Sequence, residues 1–298
     1  VEGDAQAALT LADHNLRVKP RTVLVASLFI AAVAAAGAAW WLLASRAQQM
    51  RGAVVLTQNA EAELVAAREA AEPGQPFPVA LRLKAKPGWH TYWRNPGDSG
   101  QPTSIEWNLP AGFSAGAILW PVPQRFQVGP LANYGYEGEV LLKTEIRVPA
   151  EAKGQVTLAA RARWLVCDPD HCIPEQGEVA LSLPVGRAGP SRWSAAFEAI
   201  RLPQPPPARW KLSARREGDR VLIEVDGADE QGLFLFPYEQ GKVQHAAPQP
   251  LERTGTGVRL AIPVSSQPVG EFSRVTGILA ASGGRAFEIN VPVAAAQK

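Results

Sequence analysis

The feature that most limits what this sequence can fold into is a period-two alternation of apolar residues that returns along most of its length. In QVTLAARARWLVC it runs through Val156, Leu158, Ala160, Ala162, Trp164 and Val166. PVALRLKAK repeats it with Val79, Leu81 and Leu83, while Arg82 and Lys84 point the other way. EVLLKTEIRVPA carries Val140, Leu142, Thr144, Ile146 and Val148, and GEVALSLPV carries Val179, Leu181 and Leu183. Neighbouring side chains of a strand point to opposite faces, so this spacing marks half-buried antiparallel strands. Apolar residues make up 46% of the chain, enough to fill a core. The 26 glycines and 26 prolines cut the chain into short segments, which predicts an all-β sandwich.

The alternation stops and resumes once. GPSRWSAAFEAIRLPQPPPARW predicts a short helix capped by Ser191, with Trp193, Phe197 and Ile200 on one face. Pro203, Pro205, Pro206 and Pro207 end it in a stiff linker. Beyond lie RVLIEVDG, GVRLAIPV and RAFEINVPV, with the same alternation. The expected organisation is a first sandwich over 52–188, a helix and linker over 189–207, and a second sandwich over 208–294. With 298 residues the chain has room for two domains.

Residues 23–44, VLVASLFIAAVAAAGAAWWLLA, contain no charge and are long enough to span a bilayer. Arg17, Lys19 and Arg21 precede them, which leaves the N-terminus in the cytoplasm and exports the chain beyond about residue 48. Residues 22–47 are expected to be a transmembrane anchor or a signal peptide cleaved near Ser45 and Ala47. Residues 1–21 show no periodicity and are expected to be a disordered leader. The first residue is Val1 rather than Met, which fits a fragment or an extended reading frame. The net charge of +2 and the lack of a basic stripe speak against nucleic acid.

Between the clear strands lies an aromatic, Gly- and Pro-rich stretch, residues 86–138. SIEWNL within it reads as strand and the remainder as loop. Its aromatics favour packing over ligand binding. RNPGDSG lacks the Gly-Lys-Ser/Thr ending of a phosphate loop and reads as a turn. No Ser-His-Asp arrangement can be argued from four histidines, one of which, His14, precedes the apolar run.

The two cysteines, Cys167 and Cys172, flank DPDH. A bridge needs the chain to turn back between them, and this tetrapeptide is turn-forming. In an exported chain such a pair can hold a disulfide. The loop it closes is tiny, so a bridge stabilises by only about 2 kcal/mol and makes a poor staple. An accessible bridge in a loop can instead exchange. Spacing alone leaves a structural disulfide and a redox couple both open. Metal binding is less favoured, because two further ligands are not near in sequence. His171 would favour a thiolate if charged, whereas Asp168 and Asp170 would oppose it.

Four ordered motifs, PGWHTYWRNPGDSGQPTSIEWNLPAGF, WPVPQRF, NYGYEGEVLL and WLVCDPDHCIPEQ, together resemble the periplasmic N-terminal region of the DsbD family of protein-disulfide reductases. The resemblance is to the branch that includes ScsB. It covers residues 52–185, and more weakly 208–294. It implies two immunoglobulin-like sandwiches in tandem after the N-terminal hydrophobic helix, the first carrying a redox-active cysteine pair. By position Cys172 matches the cysteine that attacks a partner's disulfide and Cys167 the one that resolves the mixed disulfide. No cofactor is implied. The partners implied are a thioredoxin-like electron donor, in cis or in trans, and periplasmic oxidised thiol proteins. The membrane-embedded and thioredoxin-like domains of the family do not occur within these residues, which places the donor in a continuation of the chain or in a separate protein. The family shields its pair with a cap loop bearing an aromatic. Asn133, Tyr134 and Tyr136 of NYGYEG fall there, with Asn133 where some members have Phe. The alternative from another class is a periplasmic docking or copper-handling module with an inert structural disulfide.

Overall fold

The computed structural model describes residues 53–295, so the expectations for residues 1–47 lie outside the described residues. Among the described residues no helix is long and apolar enough to cross a membrane. The first part of the chain supplies β1 (Val55–Leu56), β2 (Ala60–Ala66), β3 (Pro76–Ala85), β4 (His90–Gly97), β5 (Ser104–Asn108), β6 (Ser114–Ala115), β7 (Gln124–Val128), β8 (Leu131–Glu137), β9 (Glu139–Arg147), β10 (Gln155–Cys167) and β11 (Cys172–Pro184). They form two sheets, ordered β1-β2-β3-β9-β6 and β11-β10-β4-β8-β7, with β5 paired to the free flank of β10.

The alternation explains how these sheets meet. Leu64, Val79, Leu81, Leu83, Leu142 and Ile146 of one sheet share a core with Trp93, Tyr134, Leu158, Trp164, Val166 and Leu181 of the other. Along β10 every second residue from Val156 to Val166 is buried. This is an immunoglobulin-like sandwich in which each strand turns its apolar face inward.

The stretch 86–138, expected to be mostly loop, contains β4, β5, β6, β7 and β8. The expectation failed because β4 shows no alternation: His90, Thr91, Tyr92 and Trp93 are all buried. A strand covered on both faces reads as a continuous run. At Gly135 the backbones of β4 and β8 come so close that a Cβ would lie 1.9 Å from the Thr91 carbonyl oxygen.

The predicted helix is α1 (Ser194–Glu198), and it starts later than Ser191. Ser191 Oγ instead accepts the Trp193 N–H at 2.9 Å, a local turn before the helix. Trp193, Phe197 and Ile200 pack together on Val65, Ala80 and Leu141, the outer face of the β2-β3-β9 sheet. Arg82 on that face pairs with Glu63 at 2.9 Å and Glu139 at 2.6 Å, and its guanidinium lies 5.4 Å from the Trp193 ring centroid.

The remaining strands are β12 (Lys211–Glu217), β13 (Arg220–Asp226), β14 (Phe234–Pro237), β15 (Leu251–Arg253), β16 (Gly257–Pro263), β17 (Arg274–Ala280) and β18 (Ala286–Ala294). They order as β14-β17-β18-β12-β13-β16-β15, joined at the parallel β12–β18 pair. Val221, Ile223, Val225, Leu260, Ile262, Phe287 and Ile289 fill their common core.

The two bodies do not merely succeed one another along the chain. Phe236, Ile278 and Ala286 of the second join the core cluster of the first. Trp93 and Tyr134 meet Phe236 with ring centroids 6.2 and 5.0 Å apart. Asn95 Nδ2 donates to the carbonyls of Pro237 and Glu239 at 2.8 and 3.1 Å.

Candidate functional site

β10 and β11 form one hairpin of thirteen cross-strand pairs in unbroken register, and the last pair is Cys167 with Cys172. The two sulfurs are bonded. The DPDH turn closes on itself: Asp168 N–H donates to the His171 carbonyl at 3.0 Å. Asp168 Oδ1 accepts the N–H groups of Asp170 and His171 at 2.8 and 2.6 Å. Burial pushes the Asp168 carboxyl up, but these N–H donors and the His171 charge outweigh it and leave the carboxyl below its ordinary value.

The two cysteines differ sharply. Cys167 is 1% exposed, whereas Cys172 is exposed at the hairpin tip. Cys167 lies on β10 beside β4, where it pairs with His90. Tyr92, two residues along the same face of β4, is 1% exposed, and its hydroxyl donates to Cys167 Sγ at 3.0 Å. The same hydroxyl is 3.8 Å from Cys172 Sγ. Burial raises the Tyr92 pKa, with Asn133 pulling the other way, so the phenol keeps its proton and stays a donor. Three residues beyond Cys172, the buried Glu175 carboxylate accepts from Thr57 Oγ1, the Asn59 N–H and Trp164 Nε1. These bonds fasten the hairpin to the N-terminal edge of the sandwich.

A cover lies over Tyr92. The loop after β4 passes so near that a Cβ on Gly100 would sit 2.2 Å from the Tyr92 ring. His90 meets Tyr92 edge-on at 5.1 Å and stacks on Phe126 of β7 at 4.8 Å. The stack Phe126–His90–Tyr92 therefore leads from the β7–β8 hairpin to the sulfur.

The cap candidates divide. Tyr92 pairs with Gly135, so strand alternation puts Asn133 on the disulfide side of the sheet and turns Tyr134 and Tyr136 to the core side. Asn133 Oδ1 accepts from Ser99 N–H and Oγ, both at 3.1 Å, and holds the covering loop. Tyr136 donates to the Pro121 carbonyl at 2.7 Å, and Tyr134 meets His245 Nδ1 at 3.2 Å. Tyr134 and Tyr136 are thus corrected from cap to core residues, and the segment is strand rather than loop. The aromatic that reaches this side from the neighbouring hairpin is Phe126, stacked on His90, within the WPVPQRF motif. Sequence reading also missed His90 and Tyr92, which only cross-strand pairing brings to the cysteines. Among the described residues no three His, Cys, Asp or Glu side chains group as metal ligands.

Two buried histidines flank this region. Burial lowers the His90 pKa below 6.5 against the pull of Glu137 and Asp168. Burial also lowers His245, Asp98 opposing and Arg125 adding to the fall. A depressed histidine binds its proton less well folded than unfolded. Its contribution to stability is complete above the unfolded value, about pH 6.5, and declines as pH falls from there toward the folded pKa. Urea unfolding should show the chain losing stability between about pH 7 and about pH 5.5, before carboxylates titrate. A flat profile across that window contradicts it.

Fold and site define a class: an immunoglobulin-like sandwich with a disulfide at the tip of its longest hairpin, one sulfur buried and one exposed. Residues 61–184 match the family model described as thiol:disulfide interchange protein DsbD, N-terminal. The solved N-terminal periplasmic domain of ScsB from Proteus mirabilis is similar in fold, with a TM-score of 0.59 at 16% identity, covering 80% of this chain and 97% of that one. The S-layer protein SbsC, domains 5-6, aligns over 83% of this chain and 100% of its own at 10% identity, but its TM-score of 0.20 carries no argument. No curated protein matches the chain.

Proposed function

We propose that the first sandwich is a periplasmic thiol-disulfide exchange module working through Cys167 and Cys172. The observation that carries this reading is the asymmetry of the pair: Cys172 is exposed, and Cys167 is buried against the Tyr92 hydroxyl. In the oxidised form a donor thiolate attacks Cys172 Sγ. The Cys167–Cys172 bond breaks, and Cys167 leaves with the electron pair as a thiolate, which Tyr92 stabilises before it takes a proton. The donor's second thiol then releases Cys172 and leaves the donor oxidised. In the reduced form the Cys172 thiolate attacks a partner's disulfide. Cys167 attacks Cys172 Sγ in turn and releases the partner as a dithiol. Two electrons move at each stage.

The donor is a thioredoxin-like domain, in cis or in trans, and the acceptors are oxidised thiol proteins of the periplasm. Residues 23–44 anchor the chain in the inner membrane or direct its export. Residues 52–188 form the redox unit, and 208–294 form a second sandwich beyond the 189–207 connection. The reduction potential tests the reading. An exchanging pair equilibrates with glutathione or dithiothreitol well above about −300 mV, whereas an inert structural bridge lies below it. A value below that limit sinks the exchange reading and favours a docking module.

A further inference from the structure

The cover over Cys167 is fastened by the second sandwich as well as by its own sheet. β8 pairs with β4 at His90, Thr91 and Tyr92, and the register then breaks until Gly97. β7 is the free edge of that sheet. The outer half of the β7–β8 hairpin therefore has few ladder bonds inward. Several of its polar ties run across to the segment 238–250, between β14 and β15. Arg125 donates to the carbonyls of Ala246 and His245 at 3.0 and 3.4 Å. The Tyr134 hydroxyl meets His245 Nδ1 at 3.2 Å, and the Tyr134 ring lies 5.0 Å from Phe236.

The covering loop is tied to the same structures. Asn95, just before it, binds the Pro237 and Glu239 carbonyls. Asp98 exchanges two bonds with Ala132 of β8: its N–H donates at 3.0 Å and its Oδ2 accepts at 2.8 Å. The holding segment is itself stiff. The buried Lys242 ammonium donates to the Val269 and Glu271 carbonyls at 2.7 and 2.6 Å. Gln244 donates to the Val264 carbonyl through its side chain and to the Pro263 carbonyl through its N–H, both at 2.9 Å.

We propose that the second sandwich is a clamp on the first: through Arg125 and the Tyr134–His245 contact it holds the β7–β8 hairpin down and sets how often Cys167 becomes accessible. Arg125, Tyr134 and His245 are positioning residues, since none touches a sulfur. The inference rests on the exchange reading for its purpose, because opening matters only if Cys167 must meet a mixed disulfide. A tight clamp keeps a reduced Cys167 from reagents that have not first engaged Cys172. Releasing it exposes the thiol without altering the thiol itself.

The test uses the full chain carrying Cys172→Ser, which leaves Cys167 as the lone thiol, and follows its alkylation by neutral iodoacetamide by mass. Arg125→Ala should raise the rate at saturating pH on the order of tenfold, through a more populated open state. Tyr134→Phe, which keeps the ring, should raise it less. The midpoint of the rate against pH should stay fixed, because access rather than thiol acidity changes. Lys211→Ala, exposed on β12 of the second sandwich and away from the hairpin, should leave the rate unchanged. Unchanged rates in both hairpin variants, a moved midpoint with the same plateau, or an equal rise in Lys211→Ala each overturn the clamp. Reduction of the wild-type disulfide by dithiothreitol runs alongside. A bond that resists reduction while alkylation still responds to Arg125→Ala removes the exchange reading and leaves the clamp. A reducible bond with unresponsive alkylation does the reverse.

Discussion

Cys167→Ser should turn the protein into a trap. Exposed Cys172 can still attack a partner's disulfide, but the group that resolves the mixed disulfide is gone, and a covalent complex should accumulate that thiol reagents release. Cys172→Ser should do the opposite. Cys167, 1% exposed and held under Tyr92, cannot reach a folded partner, so no complex should form. Exchange from a reduced thioredoxin-like donor should fall to background in both, a loss on the order of a thousandfold or more for groups that act as a unit. Non-reducing gels and mass spectrometry separate the outcomes. Complexes forming equally with both variants would reverse or erase the assigned roles. Tyr92→Phe supplies a finer check. Without the hydroxyl the Cys167 thiolate is a poorer leaving group, and the disulfide should be reduced more slowly with the fold intact.

The second large effect is structural. Trp93 is 0% exposed and stands where three groups of residues meet: its own sandwich core, Tyr134 at 6.4 Å, and the Phe236 and Tyr238 rings of the second body at 6.2 and 5.7 Å. Trp93→Ala should cost about 3–5 kcal/mol, the range for emptying a buried aromatic site. The cavity opens at the junction, so both bodies should be weakened, and the cover over Tyr92 with them. Denaturant unfolding followed by tryptophan fluorescence reads this. A loss below about 1 kcal/mol would mean that the junction collapses to fill the gap.

How legible this was depended on how each strand is buried. β10, β11, β16 and β18 turn one face to the core and leave the other more exposed, so their alternation is written plainly. β4 and β8 carry buried residues on both faces, and no alternation survives to mark them. Pro96 and Gly97 at the end of β4 also signal a turn and hide the strand before it. The cysteine pair was visible as a turn between two strands, but its chemistry stayed open until neighbouring motifs suggested a family. Tyr92 lies 75 positions from Cys167, and their contact depends on a register that one-dimensional reading cannot set. HTYW, a run of β-favouring residues opening with histidine, was the only available hint. The cap misassignment has the same origin: one-residue alternation decides whether Tyr134 or Asn133 faces the sulfur side.

The unbroken ladder between β10 and β11 bears on how the proposed exchange would run. The cysteines form the thirteenth pair of a hairpin whose other twelve are held by backbone bonds and core packing. Cutting the S–S bond therefore removes a rung from a structure that is already zipped. On the exchange reading, the reduced form should keep nearly the same backbone, with little reorganisation accompanying the transfer. A partner would then meet the same contour in both states, and the relative potentials of the two couples would set the direction of flow.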